Sequence, residues 1–187
     1  MKIGVLALQG SVSEHLSMLG KCNAEAIEVK SKEELKEVNG LIIPGGESTT
    51  QGKLLLETGL GKEIRRKALN GMPVMGTCAG AILLAKKVTG LNYFNLGLMD
   101  IEAVRNGFGR QVDSFTRELN VNGIGRMKGV FIRAPKIRVN GSKAKILCRI
   151  GIEPVMLEQG NIIACSFHPE LTENKKVHQY FLGKCKK

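Results

Sequence analysis

A chain of 187 residues, of which 43% are apolar, has the size and composition of one globular domain with a sizeable core. No apolar run is long enough to span a bilayer, and the apolar run at the N-terminus is too short for a signal peptide and leads directly into a strand pattern, so we expect no signal peptide. The net charge of +11 raises the possibility of a nucleic-acid-binding function. However, the basic residues are scattered and only 4% of residues are aromatic. We therefore expect no nucleic-acid site and no membrane contact, while a docking surface for an acidic protein partner stays open.

The cysteines point to a reducing compartment. Their number is odd, none forms a C-x-x-C pair, and their spacing resembles neither zinc ligands nor a secreted disulfide framework. A cytoplasmic location is the simplest interpretation. The five are Cys22, Cys78, Cys148, Cys165 and Cys185.

The first half of the chain alternates strand and helix patterns. Short apolar runs predict strands at residues 2–8, 26–29, 40–44 and 73–75. Helices are predicted from Ser11 or Ser13 to residue 19, after a capping box at Ser31, from Ser48 or Thr49, and over 61–70 and 79–85. This alternation predicts a three-layer α/β fold, in which helices cover both faces of a mostly parallel central sheet.

The second half has a different pattern. Strands are predicted at residues 98–104, 128–132, 136–139, 144–150, 154–158 and 161–165, and a closing helix is predicted over 174–184. Short turns between them indicate a more antiparallel C-terminal half. The polar, glycine-containing segment 105–117 is predicted to be a loop. No repeat or linker interrupts the chain, so residues 1–187 are expected to form a single domain.

The segment around Cys78 carries the first chemical signal. Glycines stand two residues before and two after it, between a strand pattern and a helix pattern, which is the spacing of a nucleophile elbow. Such a turn strains the central residue, lifts its side chain to the carboxyl end of the sheet and places a helix N-terminus near the sulfur. A buried structural cysteine in a glycine-rich turn is the alternative.

A base for such a nucleophile must come from three histidines. His15 and His178 lie on predicted helices and are interpreted as surface or packing residues. His168 leaves the end of a predicted strand and is followed by Glu170, so an extended segment would point both side chains to the same side. Cys78, His168 and Glu170 therefore form a candidate catalytic triad. On its own, the H-P-E triplet would be a surface turn.

An oxyanion hole is the remaining requirement. The N–H of Ala79, directly after the candidate nucleophile, is the expected first donor, and Gly45 or Gly46 is placed to supply the second. The two glycines could also form an ordinary strand-to-helix turn. They lack the lysine of a phosphate-binding loop.

With these segments, the sequence resembles the class I (triad) glutamine amidotransferases, and more narrowly the glutaminase subunits of pyridoxal 5'-phosphate synthases. The resemblance covers nearly the whole chain. The segments that carry it are residues 4–10 with 14–15, 44–49, 76–80, 105–106, 108–111 with 113–115, 129–135 and 167–171. Thr116-Arg117 departs from the pattern, because acidic residues are expected after Phe115.

The resemblance implies glutamine hydrolysis to glutamate and ammonia. It makes Cys78 the nucleophile, with His168 and Glu170 as its relay. For the oxyanion hole we take Ala79 and, of the two glycines, Gly46. It also implies contacts with L-glutamine, and the residues assigned to them are Gly46, Glu47, Ser48, Arg105, Ile132 and Arg133. An amino acid carries one carboxylate and one ammonium group, so arginine and glutamate suit its recognition.

The resemblance further implies a partner. Ammonia would pass to a separate synthase subunit in a large hetero-oligomer, and the glutaminase itself would need no metal or cofactor. Two alternatives remain at this point. One is a glutaminase subunit of another pathway, such as imidazole glycerol phosphate synthesis, and the other is a non-catalytic regulatory or nucleic-acid-binding subunit.

Overall fold

The computed structural model describes residues 1–90, 94–105, 107 and 114–186. Twelve strands and six α-helices lie within these ranges. The strands are β1 (Lys2–Leu6), β2 (Glu25–Val29), β3 (Gly40–Ile43), β4 (Val74–Thr77), β5 (Ala85–Thr89), β6 (Met99–Val104), β7 (Ser114–Val121), β8 (Gly125–Ile132), β9 (Lys136–Val139), β10 (Lys145–Ile150), β11 (Glu153–Gln159) and β12 (Ile162–Cys165). The helices are α1 (Val12–Lys21), α2 (Lys32–Lys36), α3 (Ser48–Glu57), α4 (Leu60–Leu69), α5 (Ala79–Leu84) and α6 (Lys176–Cys185).

A seven-stranded sheet in the order β10-β11-β12-β4-β3-β1-β2 forms the centre. The five strands from β12 to β2 pair in parallel, and β11 and β10 add antiparallel partners at one edge. A three-stranded sheet, β5-β6-β9, and an antiparallel ribbon, β7-β8, complete the strands. The predicted fold, a mostly parallel sheet with a more antiparallel C-terminal half, is confirmed.

Alternate residues of the central strands supply two apolar cores, one on each face of the sheet. In β3, Leu41 and Ile43 pack against α2, α3, α4, α5 and the three-stranded sheet, whereas Ile42 packs against α1, α6 and the ribbon. In β12, Ala164 and Ile163 divide in the same way. This follows from the two-residue period of a strand, and full burial of both faces explains the continuous apolar runs in the sequence.

The helix starts show how local sequence fixes the elements. The capping box at Ser31 forms as predicted: its hydroxyl accepts from the Glu34 N–H, and the Glu34 carboxylate accepts from the Ser31 N–H. Ser11 occupies the N-cap position of α1, but its hydroxyl does not cap the helix. It donates instead to Glu170, across the fold. Of the two candidate caps, Ser11 or Ser13, the structure thus places Ser11 at the helix start, but a tertiary contact takes its hydroxyl.

Two strands differ from the sequence prediction. β5 was not predicted, because its alanine and lysines are good helix formers; pairing with β6 decides its conformation. β7 begins at Ser114, so the end of the predicted loop 105–117 is a strand. Its register with β8 sets Phe115 opposite Phe131, and the two rings stack with centroids 4.6 Å apart.

Part of the segment that carried the family resemblance, Asn106 and residues 108–113, lies outside the described residues. Within the described ranges, no helix is both long and apolar enough to cross a membrane.

Candidate active site

Cys78 sits in a strained turn between β4 and α5. Its backbone has φ 48° and ψ −103°, a conformation that L-residues rarely adopt. The close packing of the turn explains the flanking glycines. A Cβ atom on Gly80 would lie 2.1 Å from the Ile43 carbonyl oxygen, and one on Gly76 would lie 2.5 Å from the Gly80 carbonyl carbon. The spacing that predicts an elbow therefore reflects a steric requirement.

Adjacent parallel strands bring His168 to the same end of the sheet. The Cys78 N–H donates to the Cys165 carbonyl at 2.8 Å, which continues the β4–β12 pairing into the turn. The His168 N–H then donates to the Val130 carbonyl of β8 at 2.8 Å. The imidazole packs against Gly45, where an added Cβ would lie 2.3 Å from Cε1 of the ring. The loop after β3 thus needs glycine in order to admit the histidine.

Glu170 contacts His168 directly, with Oε1 2.8 Å from Nδ1. The backbone conformation that brings the two side chains together differs from the expected one. Residues 169–171 form a short 3-10 turn rather than an extended segment, so it is the turn that brings the carboxylate back to the ring. Proline fits the start of that turn, because its ring fixes φ at a value that a helical turn requires. The glutamate side chain is fully buried.

The electrostatics of this pair favour an imidazolium beside a carboxylate. Burial by itself lowers the pKa of His168, but hydrogen bonds to Cys78 and Glu170 outweigh it and raise that pKa. Burial by itself raises the pKa of Glu170, but the neighbouring His15 and His168 bring it below its ordinary value. The arrangement can hold a proton on His168 next to the sulfur.

A cavity of about 380 Å³ opens beside Cys78 and His168. Cys78 and His168 line it, and Ile82 adds an apolar wall that sequence reasoning missed. The predicted glutamine contacts also lie in its wall, and they are Gly46, Glu47, Ser48, Arg105, Ile132 and Arg133. Among the residues the structure describes, no three His, Cys, Asp or Glu side chains are grouped as metal ligands.

Opposite charges stand together in the cavity wall. The Arg105 guanidinium lies 2.8 Å from Glu47 Oε1 and donates to Thr49 Oγ1 at 3.0 Å. The Glu47 carboxylate also accepts from the Thr49 and Thr50 N–H groups, so it caps α3. Burial raises its pKa, but these hydrogen bonds prevail and lower it, which keeps the group ionised. The wall can therefore receive both ends of an amino-acid zwitterion.

The opposite wall comes from the end of β8. The Ile132 carbonyl oxygen lies 3.6 Å from Cys78 Sγ and accepts a weak hydrogen bond from it. Arg133 follows with φ 43°, so the chain turns sharply beside the sulfur. Both residues border the space in which a bond to the sulfur would form.

The two candidate oxyanion donors differ in their present contacts. The Gly45 N–H donates to Thr77 Oγ1 at 3.1 Å and is already engaged. Gly46 lines the cavity, and so does Ala79, the first residue of α5. Of the two glycines, only Gly46 therefore remains as a candidate partner for Ala79.

His15 and His178 were not assigned to the site, yet the structure places them behind Glu170. Both are fully buried, which excludes the surface interpretation and agrees with the packing one. His15 Nε2 lies 3.4 Å from Glu170 Oε2 and 3.1 Å from Thr77 Oγ1, and His15 Nδ1 lies 3.0 Å from His178 Nε2. The sequence offered one signal: Ser11 and His15 are four residues apart at the start of a helix, and so share a face.

Burial lowers the pKa of His15, and it lowers the pKa of His178 to about 3. Both rings are therefore neutral in the folded protein at neutral pH. In the unfolded chain each would take up a proton near its ordinary value of 6.5. Since the unfolded state then binds more protons, the free energy of unfolding falls as the pH drops below 6.5.

Replacing His178 by glutamine is expected to make stability less sensitive to acid. The native protein loses stability from pH 6.5 towards about 3 as this ring is protonated in the unfolded state. Removing the ring removes about 1.4 kcal/mol per pH unit from the slope of unfolding free energy against pH. His168 does not mask this, because both proteins contain it and its raised pKa contributes equally to both slopes. Urea unfolding between pH 6.5 and 4.5 measures the slope.

The matched control is Gln179→Ala, an exposed, uncharged neighbour on the same helix. It should leave the slope unchanged. Equal slopes for the native protein and His178→Gln would contradict a neutral, buried His178.

Comparisons with known proteins agree with this geometry. The model of the SNO glutamine amidotransferase family matches residues 5–187. The chain is 49% identical over 187 residues to the pyridoxal 5'-phosphate synthase subunit PdxT of Pelotomaculum thermopropionicum, with 99% of this chain and 95% of that protein covered. It is 45% identical over 184 residues to the PdxT subunit of Thermotoga maritima, with 97% and 98% covered.

Solved structures of other proteins have the same fold as this chain. One described as a glutamine amidotransferase superposes with a TM-score of 0.96 at 48% identity and covers 99% of both chains. Another glutamine amidotransferase, from Thermotoga maritima, superposes at 0.66 with 12% identity, covering 100% of this chain and 84% of its own, which shows a shared fold. The full-length family match and the near-identical backbone lead to one conclusion: this chain belongs to the SNO glutamine amidotransferase family.

Proposed function

We propose that this protein hydrolyses L-glutamine to L-glutamate and ammonia as the glutaminase subunit of a pyridoxal 5'-phosphate synthase. The observation that carries the proposal is the strained Cys78 in one cavity with His168, which is held by Glu170 at 2.8 Å. A strained nucleophile, a base and an orienting acid in this order are the parts that acyl transfer needs.

In the proposed mechanism, the Cys78 thiolate attacks the side-chain amide carbon of glutamine. His168 donates its proton to the departing nitrogen, and ammonia leaves behind a γ-glutamyl thioester. The imidazole then takes a proton from water, which cleaves the thioester and releases glutamate. Glu170 orients the ring and stabilises its charged form without accepting the proton itself.

The other proposed roles follow from the cavity wall. The N–H groups of Ala79 and Gly46 receive the oxyanion of the tetrahedral intermediates. Arg105 faces the substrate carboxylate and Glu47 faces the ammonium group, while Ser48, Ile132 and Arg133 complete the contacts around the amide. The paired charges at 2.8 Å support this assignment, because each can bind the opposite charge of the amino acid.

The named relatives support the pathway. Those compared above are subunits of pyridoxal 5'-phosphate synthase and match nearly the full chain, which favours this pathway over imidazole glycerol phosphate synthesis. The partner is then a synthase subunit that receives the ammonia within a hetero-oligomer. We place the protein in the cytoplasm, since all five cysteines are free thiols. We take residues 1–187 as one glutaminase domain.

The nitrogen source tests this division of labour. The native protein with its cognate synthase subunit should form pyridoxal 5'-phosphate from ribose 5-phosphate and glyceraldehyde 3-phosphate with either glutamine or an ammonium salt. The complex that carries Cys78→Ala should use the ammonium salt only. Absorbance of the product at a fixed subunit ratio measures both rates.

Synthase alone, supplied with ammonium salt, is the reference for this assay. If the Cys78→Ala complex worked equally well with glutamine, the proposed hydrolysis would be wrong. Failure of the native complex with glutamine would contradict the proposed pathway.

A further inference from the structure

The two oxygens of the buried Glu170 carboxylate have different surroundings. Oε1 accepts hydrogen bonds from His168 Nδ1 and from the Ser11 hydroxyl, both at 2.8 Å. Oε2 has no hydrogen-bond partner among the described residues. An ionised oxygen without a donor is costly in a buried site. His15 Nε2, at 3.4 Å, lies close enough to relieve that cost with a modest change in geometry.

His15 has a defined contact on each ring nitrogen. Nε2 lies between Thr77 Oγ1 and Glu170 Oε2, and Nδ1 faces His178 Nε2 at 3.0 Å. His178 Nδ1 is buried and has no partner among the described residues. Burial keeps both rings neutral, so each ring has one N–H.

Of the four ways to place one proton on each ring, two give His15 an Nε2–H donor to the carboxylate, but one of these sets the lone pairs of His15 Nδ1 and His178 Nε2 against each other at 3.0 Å. Only the arrangement with both protons on Nε2 satisfies the carboxylate and the contact between the rings. With the protons on Nε2 of both rings, His15 donates towards Glu170 and Thr77, and His178 donates to His15 Nδ1. With both protons on Nδ1, a lone pair of His15 would face the carboxylate, and the His178 N–H would be buried without an acceptor. The first arrangement leaves unpaired only an acceptor nitrogen on His178.

We propose that His15 is a positioning residue for the reaction, which donates from Nε2 to the second oxygen of Glu170, with its tautomer fixed by His178. The inference rests on the glutaminase function proposed above. Ser11 and His15 together present two donors from the start of α1, one to each carboxylate oxygen. Both oxygens of the Glu170 carboxylate are then hydrogen-bonded, so the carboxylate and the His168 ring that it orients are fixed in position.

Thr77 extends the same contact towards the nucleophile. Its hydroxyl oxygen lies 3.1 Å from His15 Nε2 and accepts the Gly45 N–H at 3.1 Å. Thr77 directly precedes Cys78, and Gly45 packs against the His168 ring. His15 therefore contacts both the acid and the strand end that carries the nucleophile, so its loss is expected to disturb their alignment.

Paired variants of His15 test the proposal in the native complex. His15→Leu removes the donor, whereas the amide N–H of His15→Gln can reach the place of Nε2. We expect His15→Leu to lower kcat for glutamate release by about 10- to 100-fold, the size of effect that a small misplacement of catalytic groups produces. KM should change less than about twofold, because His15 does not line the substrate cavity. His15→Gln should recover most of kcat.

A control and a spectroscopic measurement separate positioning from stability. Leu16→Ala perturbs the packing of the same helix without removing a hydrogen-bond donor, so it should lower the melting temperature and leave kcat near the native value. Long-range 1H–15N spectra of protein labelled at histidine read the tautomers directly. The chain has three histidines, so single variants assign every signal. We expect the Nε2–H form for His15 and His178 at pH 7.

The proposal is overturned by an Nδ1–H tautomer at His15, by native kcat in His15→Leu, or by equal kcat losses in the two His15 variants. The spectrum keeps it testable even if His15→Leu does not fold. Failure of the proposed function is distinguishable, because the native complex would then release no glutamate while the tautomers would still be measurable.

Discussion

Replacing Cys78 by alanine is expected to lower glutamine-dependent glutamate release by about 10⁴-fold or more, while the protein stays folded. Without the sulfur no thioester can form, so the whole proposed route is lost. The fold should tolerate the change, because alanine keeps the Cβ at this strained position and a thiol contributes only weak hydrogen bonds, such as the one to the Ile132 carbonyl at 3.6 Å. Glutamate release by the complex and the melting temperature of the variant measure the two effects.

A glutamine-analogue electrophile supplies the complementary measurement. Mass spectrometry should find the label on Cys78, which lines the cavity. The other thiols are poor competitors, since burial raises the pKa of Cys22, Cys148 and Cys165, and that of Cys185 to about 12. Label on any of those four, or substantial glutamate release by Cys78→Ala, would show that another group is the nucleophile.

The next largest effect is expected from His168→Asn, which should lower kcat by about 10³-fold or more. The imidazole is needed twice, first to protonate ammonia and then to activate water, and asparagine can do neither. Glu170→Gln should cost less, because the residue orients the ring and does not transfer the proton. Steady-state glutamate release by each complex, with KM and kcat determined separately, ranks the three variants.

Leu171→Ala is the matched control for this series. Leu171 lies in the same 3-10 turn but is 41% exposed and does not line the cavity. Its activity should remain near that of the native protein. If His168→Asn kept most of its activity, the base would have to be another residue; equal losses from His168→Asn and Leu171→Ala would indicate a distorted turn.

Much of the fold could be predicted because its causes are local. The strands of the parallel core are buried on both faces, so they appear as short apolar runs, and glycine, proline or a capping residue marks their ends. β5 and β7 are not predictable in this way, because neither carries a clear pattern of its own. Pairing with β6 and β8 decides their conformation.

What the sequence by itself determined was the local chemistry. Glycines are required around Cys78 because α5 lies too close to β3 to leave room for a Cβ atom. A segment of five consecutive residues is enough to reveal this steric constraint. A histidine two residues before a glutamate brings a base and an acid within reach of each other, whether the segment is extended or turns. The capping box at Ser31 is local in the same sense.

Only the tertiary structure decided which distant polar groups meet. Ser11 was one of two candidate caps for α1, the other being Ser13, but its hydroxyl reaches a carboxylate 159 positions away. His15 and His178 are separated by 163 positions, and no spacing rule links them until α1 and α6 pack on the same face of the sheet. The physical reason is that a buried charge must find donors wherever the fold supplies them, so its partners follow from packing and not from sequence order.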